Sequence, residues 1–129
     1  PVNPLNLRDG RKDLALVALA GPLTNLCIAS IAALLYRLVG NSQLSEFLLL
    51  VALYNILLTI FNLIPIPPLD GSKIFSIILP ERIAYQYLSI SSYGIFIVLF
   101  LMYFPIGGFS LGKLMNQLAV AALRLLGIT

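Results

Sequence analysis

Histidine and tryptophan are missing from this sequence, and cysteine occurs once. No imidazole is therefore available as a metal ligand. Cys27, in the middle of an apolar run, has no second thiol for a disulfide or a metal-ligand pair, and it is expected as a small buried apolar residue. Charge is also scarce. Only 10% of the 129 residues are charged, where a soluble domain carries about 25%. Hydrophobic residues make up 60% and the mean hydropathy is +1.00. Too little polar surface remains to face water, so the bilayer is the expected solvent and first partner. A net charge of +3, scattered along the chain, excludes a nucleic-acid footprint. The opening Pro1-Val2-Asn3-Pro4 has neither an initiator Met nor a basic stretch before a short apolar core. No signal peptide is read from it, and the chain is expected to be the carboxyl-terminal half of a longer protein.

What is present is long apolar runs. Leu14 to Tyr36 contains no charged residue, and at about 1.5 Å per residue it can cross a hydrocarbon core of about 30 Å. Phe47 to Ile64 is a second such run, and Ser89 to Phe104 a slightly short third that should begin a few residues earlier. The expected architecture is a single all-α membrane domain over residues 1–129, a polytopic helical bundle with spans near 14–39, 47–64 and 88–105. Between the second and third spans, Pro80 and Glu81 suit a helix start, and Arg82 to Leu88 suits a short interfacial helix with Tyr85 and Tyr87 at headgroup depth. Near 110–126, Leu111, Leu114, Met115, Leu118, Ala122, Leu125 and Leu126 repeat at helical spacing, with Lys113, Asn116, Gln117 and Arg124 opposite. That is an amphipathic helix, lying in the interface or packed on a partner.

Basic residues set the expected orientation. Arg8, Arg11 and Lys12 precede the first span and Lys73 and Arg82 follow the second, whereas the connection between them has only Arg37, close to Glu46. The positive-inside rule puts the Asp70 loop on the cytoplasmic side of a multi-pass membrane protein.

The second span ends in Asn62-Leu-Ile-Pro-Ile-Pro-Pro-Leu-Asp-Gly71. Proline gives no backbone donor and disfavours helix before it, so the helix should stop near Ile64. Unwound backbone at membrane depth is tolerated where protein buries it or water reaches it. Asp70 sits at this break. A carboxylate there needs a partner, water or a metal; it is either an interfacial acid that caps a turn with Gly71 or pairs with Lys73, or a functional intramembrane acid, and composition leaves both open. Asn62, one turn before the break, and Asn25 and Asn55 inside the spans are amides that demand partners when buried. Gly21-Pro22 should kink or thin the first span, where Ala18, Gly21 and Ala29 form a small-residue face suited to close helix approach.

The string from Asn62 to Gly71 resembles the NxxPxxxLDG signature of the site-2 protease family, the zinc metalloproteases that cleave within membranes. The flank from Pro1 to Asn25, with a PVNP-like basic loop before a GPxxN pattern, is similar to the small bacterial and archaeal members. The resemblance runs to about position 80 and continues only as hydropathy. It implies that Asp70 is the third ligand of a Zn2+ ion, beside two histidines and a catalytic glutamate of an HExxH sequence on an earlier helix. It also implies that Asn62 lies beside the catalytic centre, and that Pro65, Leu69 and Gly71 support the site. Catalytic zinc takes three protein ligands and leaves a position for water. No HExxH can occur without histidine, so no catalytic residue is expected within this chain, and alone it is expected to be inactive: either it awaits the missing amino-terminal helices or it is a degenerate copy. The implied substrate of the intact enzyme is a transmembrane or membrane-adjacent polypeptide at a prokaryotic cell membrane. Two non-catalytic readings compete. A transporter-like protein would use broken-helix ends to coordinate cargo and should show an inverted repeat. A pseudoprotease would keep the fold without the metal, although retention of Asp70 argues against it.

Overall fold

A computed structural model describes residues 10–106, 108 and 110–128. The PVNP-like opening, Pro1 to Pro4, and Arg8 lie outside the described residues. The architecture is all helical: α1 (Gly10–Val39), α2 (Gln43–Asn62), α3 (Asp70–Phe75) continuing into a 3-10 turn (Ser76–Ile78), α4 (Glu81–Ser89), α5 (Ser91–Tyr103) and α6 (Leu111–Leu125). Among the described residues two helices, α1 and α2, are long and apolar enough to cross a membrane, and a third crossing is available if α4 and α5 count as one bent span.

Helix α1 has 30 residues, about 45 Å at the helical rise. It takes Arg11, Lys12 and Asp13 into its first turn and runs unbroken through Pro22. Pro22 has no N–H to give, and its own carbonyl accepts the Thr59 hydroxyl of α2 at 3.4 Å. A tight turn leads to α2, where Ser42 and Ser45 cap each other: the Ser45 N–H donates to Ser42 Oγ at 3.2 Å and the Ser42 N–H to Ser45 Oγ at 3.1 Å.

The two long helices meet along small side chains. Ala29, Ala32 and Ala33 of α1 bury against Leu48, Ala52 and Ile56 of α2, with Ala119 and Leu123 of α6 and Ile128 completing the cluster. Small residues let helix backbones approach where lipid offers no hydrophobic drive for association. A second cluster, Ile64, Leu69, Val98, Leu111 and Met115, lies at the other end of α2. The start of α6 thus packs near the end of α2 and its end near the start, so the two helices run antiparallel. The buried stripe of α6 is Leu111, Met115, Ala119 and Leu123. Leu125, expected on the apolar face, is 89% exposed. The helix is turned so that Ala119 meets the small-residue seam. It ends in a Schellman motif, with Ile128 N–H donating to the Leu123 carbonyl and Gly127 N–H to that of Arg124, both at 3.0 Å, and with Gly127 at φ +82. Arg37, at the end of α1, donates to the Leu126 carbonyl at 3.2 Å, a favourable place for a cation.

The outward faces of α1 and α2 are apolar: Leu16, Val17, Ile31, Leu38, Phe47 and Tyr54 are all exposed. Cys27 is on this outer face too, which corrects its expected burial. In a chain built for lipid, apolarity does not mark the inside.

The short helix expected between the second and third spans coincides with α4, and the region near 88–105 holds α5. α4 and α5 meet at a 68° bend, and α5 by itself, with 13 residues, covers about 20 Å, less than the hydrocarbon thickness of about 30 Å. The bend falls at Ser89-Ile90-Ser91-Ser92, where serine competes for backbone hydrogen bonds: Ser89 Oγ donates to the Gln86 carbonyl at 2.7 Å.

Candidate functional site

Beyond Asn62 the chain unwinds. The Leu63 N–H still reaches back to the Thr59 and Ile60 carbonyls, at 3.1 and 3.2 Å. Pro65, Pro67 and Pro68 then carry it through a turn that includes a cis Pro67–Pro68 bond, and α3 begins at Asp70.

Helix α3 is pressed on the end of α2 by Gly71. A Cβ at Gly71 would overlap the Leu63 carbonyl and crowd that of Ile64, so only glycine fits. Leu69, just before, is buried in the second cluster with Ile64 and Val98. The segment also knots itself: Ser72 Oγ donates to the Leu69 carbonyl and Ser76 Oγ to that of Lys73, each at 2.7 Å, and both serines are buried.

Asp70 is placed by this wedge. One carboxylate oxygen, Oδ1, is 3.7 Å from Lys73 Nζ, with the Asp70 and Lys73 side chains 28% and 37% exposed. The other oxygen, Oδ2, faces α1, where a Cβ on Gly21 would stand 3.4 Å away. Asp70 therefore lies against α1 rather than in bulk solvent. The Lys73 pair is loose and part-exposed; such pairs are worth about 0–1 kcal/mol. It leaves the carboxylate free to take a stronger partner.

Two further elements hold the loop. The Tyr87 hydroxyl of α4 donates to the Pro65 carbonyl, and Gly94 of α5 sits directly on the Pro67 carbonyl, where any Cβ would overlap it. Pro67 itself is among the most buried side chains. Tyr87, read from sequence as a headgroup residue, thus satisfies a carbonyl orphaned by the proline run. Arg11, read as a topogenic charge, donates to the Ser76 carbonyl at 2.8 Å and to that of Leu79. Neither pairing has a sequence signal, because partners so far apart in the chain meet only through the fold.

Asn62 is the last residue of α2 and is half-buried; among the described residues no hydrogen bond joins it to Asp70. Asn55 turns inward on its own helix, donating to the Val51 carbonyl at 2.8 Å. Beside the loop, Leu14, Pro67, Pro68, Ser72, Lys73, Leu88 and Ser91 enclose a cleft of about 200 Å³. Among the described residues no group of three or more His, Cys, Asp or Glu side chains could hold a metal ion. Asp70 fits a zinc site as one anionic oxygen donor, and a site of three protein ligands would need the others from elsewhere.

A family description, Peptidase family M50, matches residues 38–105. A Bacillus subtilis (strain 168) protein named "Putative zinc metalloprotease YwhC" is 31% identical over 126 residues, covering 90% of this chain and 58% of its own. A Methanocaldococcus jannaschii protein named "Putative zinc metalloprotease MJ0611" is 37% identical over 59 residues, covering 45% of this chain and 31% of its own. The chain thus spans 58% of the length of the first relative and 31% of the second. No solved structure gives a significant match.

Proposed function

The chain belongs to peptidase family M50, and from that premise we propose that it supplies part of the active site of a zinc-dependent intramembrane endopeptidase, with Asp70 as a metal ligand. The observation that carries this reading is the carboxylate lodged against Gly21 at the broken end of α2, paired among the described residues with a loose lysine. Two histidines and a glutamate of an HExxH sequence would come from outside this chain, which has no histidine. When bound, zinc would polarise the scissile carbonyl and lower the pKa of a water to about 7.

The residues present here would do the positioning. Gly71 fixes Asp70 at the end of α2, Leu69 anchors the turn in the core, and the Pro65 to Pro68 run keeps backbone polar groups unwound beside the carboxylate. Asn62, one turn before the break, offers an amide to a substrate carbonyl. The apolar helices and the family make the chain a membrane protein; the basic flanks support a multi-pass topology with the Asp70 loop toward the cytoplasm of a prokaryotic cell. The substrate would be a transmembrane or membrane-adjacent polypeptide. It must unwind locally, because an intact helix hides its carbonyls in its own hydrogen bonds, so substrates with rigid poly-leucine segments should resist cleavage.

The decisive experiment is zinc content and cleavage in lipid for the full-length protein beside Asp70→Ala. Loss of both is expected. Equal zinc and equal cleavage would remove Asp70 from the site. A second reading, a metal-free pseudoprotease, is favoured by the Asp70 to Lys73 pair, which partly satisfies the acid without a metal. It requires that the full-length protein bind no zinc.

A further inference from the structure

The segment from Asp70 to Leu79 lies along α1 in the opposite direction, and it is held at both ends. At one end Asp70 Oδ2 stands against Gly21. At the other, the Arg11 guanidinium donates to the carbonyls of Ser76 and Leu79. From Arg11 to Gly21 is about 15 Å of helix axis; six α-helical residues followed by a 3-10 turn cover about the same. Between these points the segment is stiffened by its own bonds, Ser72 Oγ to Leu69 O and Ser76 Oγ to Lys73 O, both 2.7 Å, and Leu79 N to Ser76 O, 3.2 Å. A displacement at the Arg11 end is therefore transmitted to the carboxylate.

We propose that Arg11 is a positioning residue for Asp70: by gripping the Ser76 and Leu79 carbonyls through Nη1, it sets how far along α1 the Asp70 carboxylate stands and hence whether it completes the metal site. The inference rests on the zinc-ligand reading of Asp70. Nothing in the grip requires a metal; Arg11 is a second donor to the Ser76 carbonyl, beside the Leu79 N–H, and also reaches the Leu79 carbonyl where the helical segment ends, a favourable place for a cation. Both bonds come from one terminal nitrogen, Nη1, whose N–H groups the rigid guanidinium plane holds in fixed directions, whereas an ammonium is a point donor on a flexible stem.

The test uses the full-length protein in lipid, with Arg11→Ala, Arg11→Gln, Arg11→Lys and Asp70→Ala. Residues that orient a metal ligand typically cost 10- to 100-fold in affinity or activity when changed. Arg11→Ala is expected to speed zinc loss to a chelator by about 10- to 100-fold and to lower kcat by a similar factor, with KM held within about twofold because bound substrate is untouched. Arg11→Lys should fall between Ala and wild type. In metal-free protein, backbone amides from Ser72 to Leu79 should exchange faster in Arg11→Ala than in wild type. If Arg11→Ala does not accumulate, Arg11→Gln is judged on the same measures. Wild-type zinc loss and kcat in the variant, with Asp70→Ala inactive, overturn the role of Arg11 and leave the zinc reading standing. A fall confined to KM also overturns it. If Asp70→Ala keeps zinc and activity, the zinc reading itself fails.

Discussion

The bundle of α1, α2 and α6 and the segment from Leu63 to Leu79 are held by different means. In the bundle, adhesion is spread over a seam of small side chains, Ala29, Ala32, Ala33, Ala52 and Ala119, around Leu48, Ile56 and Leu123. In the segment, beyond the burial of Ile64 and Leu69 in the second cluster, a few point contacts do the holding: Gly71 against the Leu63 carbonyl, Gly94 against that of Pro67, Tyr87 on Pro65, and Arg11 on Ser76 and Leu79. A seam distributes an error over many neighbours, so one change there lowers stability without moving any particular atom far. A point contact concentrates it. The Asp70 segment should accordingly be where function is lost before stability, and the bundle where stability is lost before function.

Four substitutions test that contrast. Gly71→Ala should have the largest effect on function, since its Cβ would lie within backbone that cannot swing aside; misplacement by about 1 Å can cost about 100-fold, so cleavage by the full-length protein should fall at least that far. Normal cleavage by Gly71→Ala would break the comparison. Ile56→Ala, in the seam and 2% exposed, should cost about 2–4 kcal/mol of stability, read as a lowered melting temperature in detergent, while cleavage per folded molecule stays within about twofold. Tyr87→Phe removes one hydroxyl donor from the Pro65 carbonyl and should cost about 1 kcal/mol, with a small fall in cleavage. Lys73→Ala should have the least effect on stability, below about 1 kcal/mol, because its ion pair is loose and part-exposed; a large destabilisation would show that the lysine, and not a metal, is what Asp70 requires.

Much of this could be read from the residues. The uncharged runs, the break at Pro65 to Pro68 and an acid at that break follow from local chemistry, and the structure has helices ending at Asn62 and restarting at Asp70. What escaped depends on partners distant in the chain. The buried stripe of α6 could not be chosen by periodicity, because leucines occur on several faces and the choice of Leu123 over Leu125 is made by the approach of Ala119 to the seam. The short helix before α5 was legible from Pro80 and Glu81, but not the 68° angle at which α4 and α5 meet. Gly94 looked like any glycine in an apolar helix until the Pro67 carbonyl appeared beneath it.

That seat of α5 on the proline turn has a mechanical side. A helix resting flush on a carbonyl cannot roll about its axis without levering that carbonyl, and the turn it levers ends at Asp70. Torque applied to α5 by lipid or by an arriving polypeptide would thus be felt, through a single glycine as fulcrum, at the carboxylate.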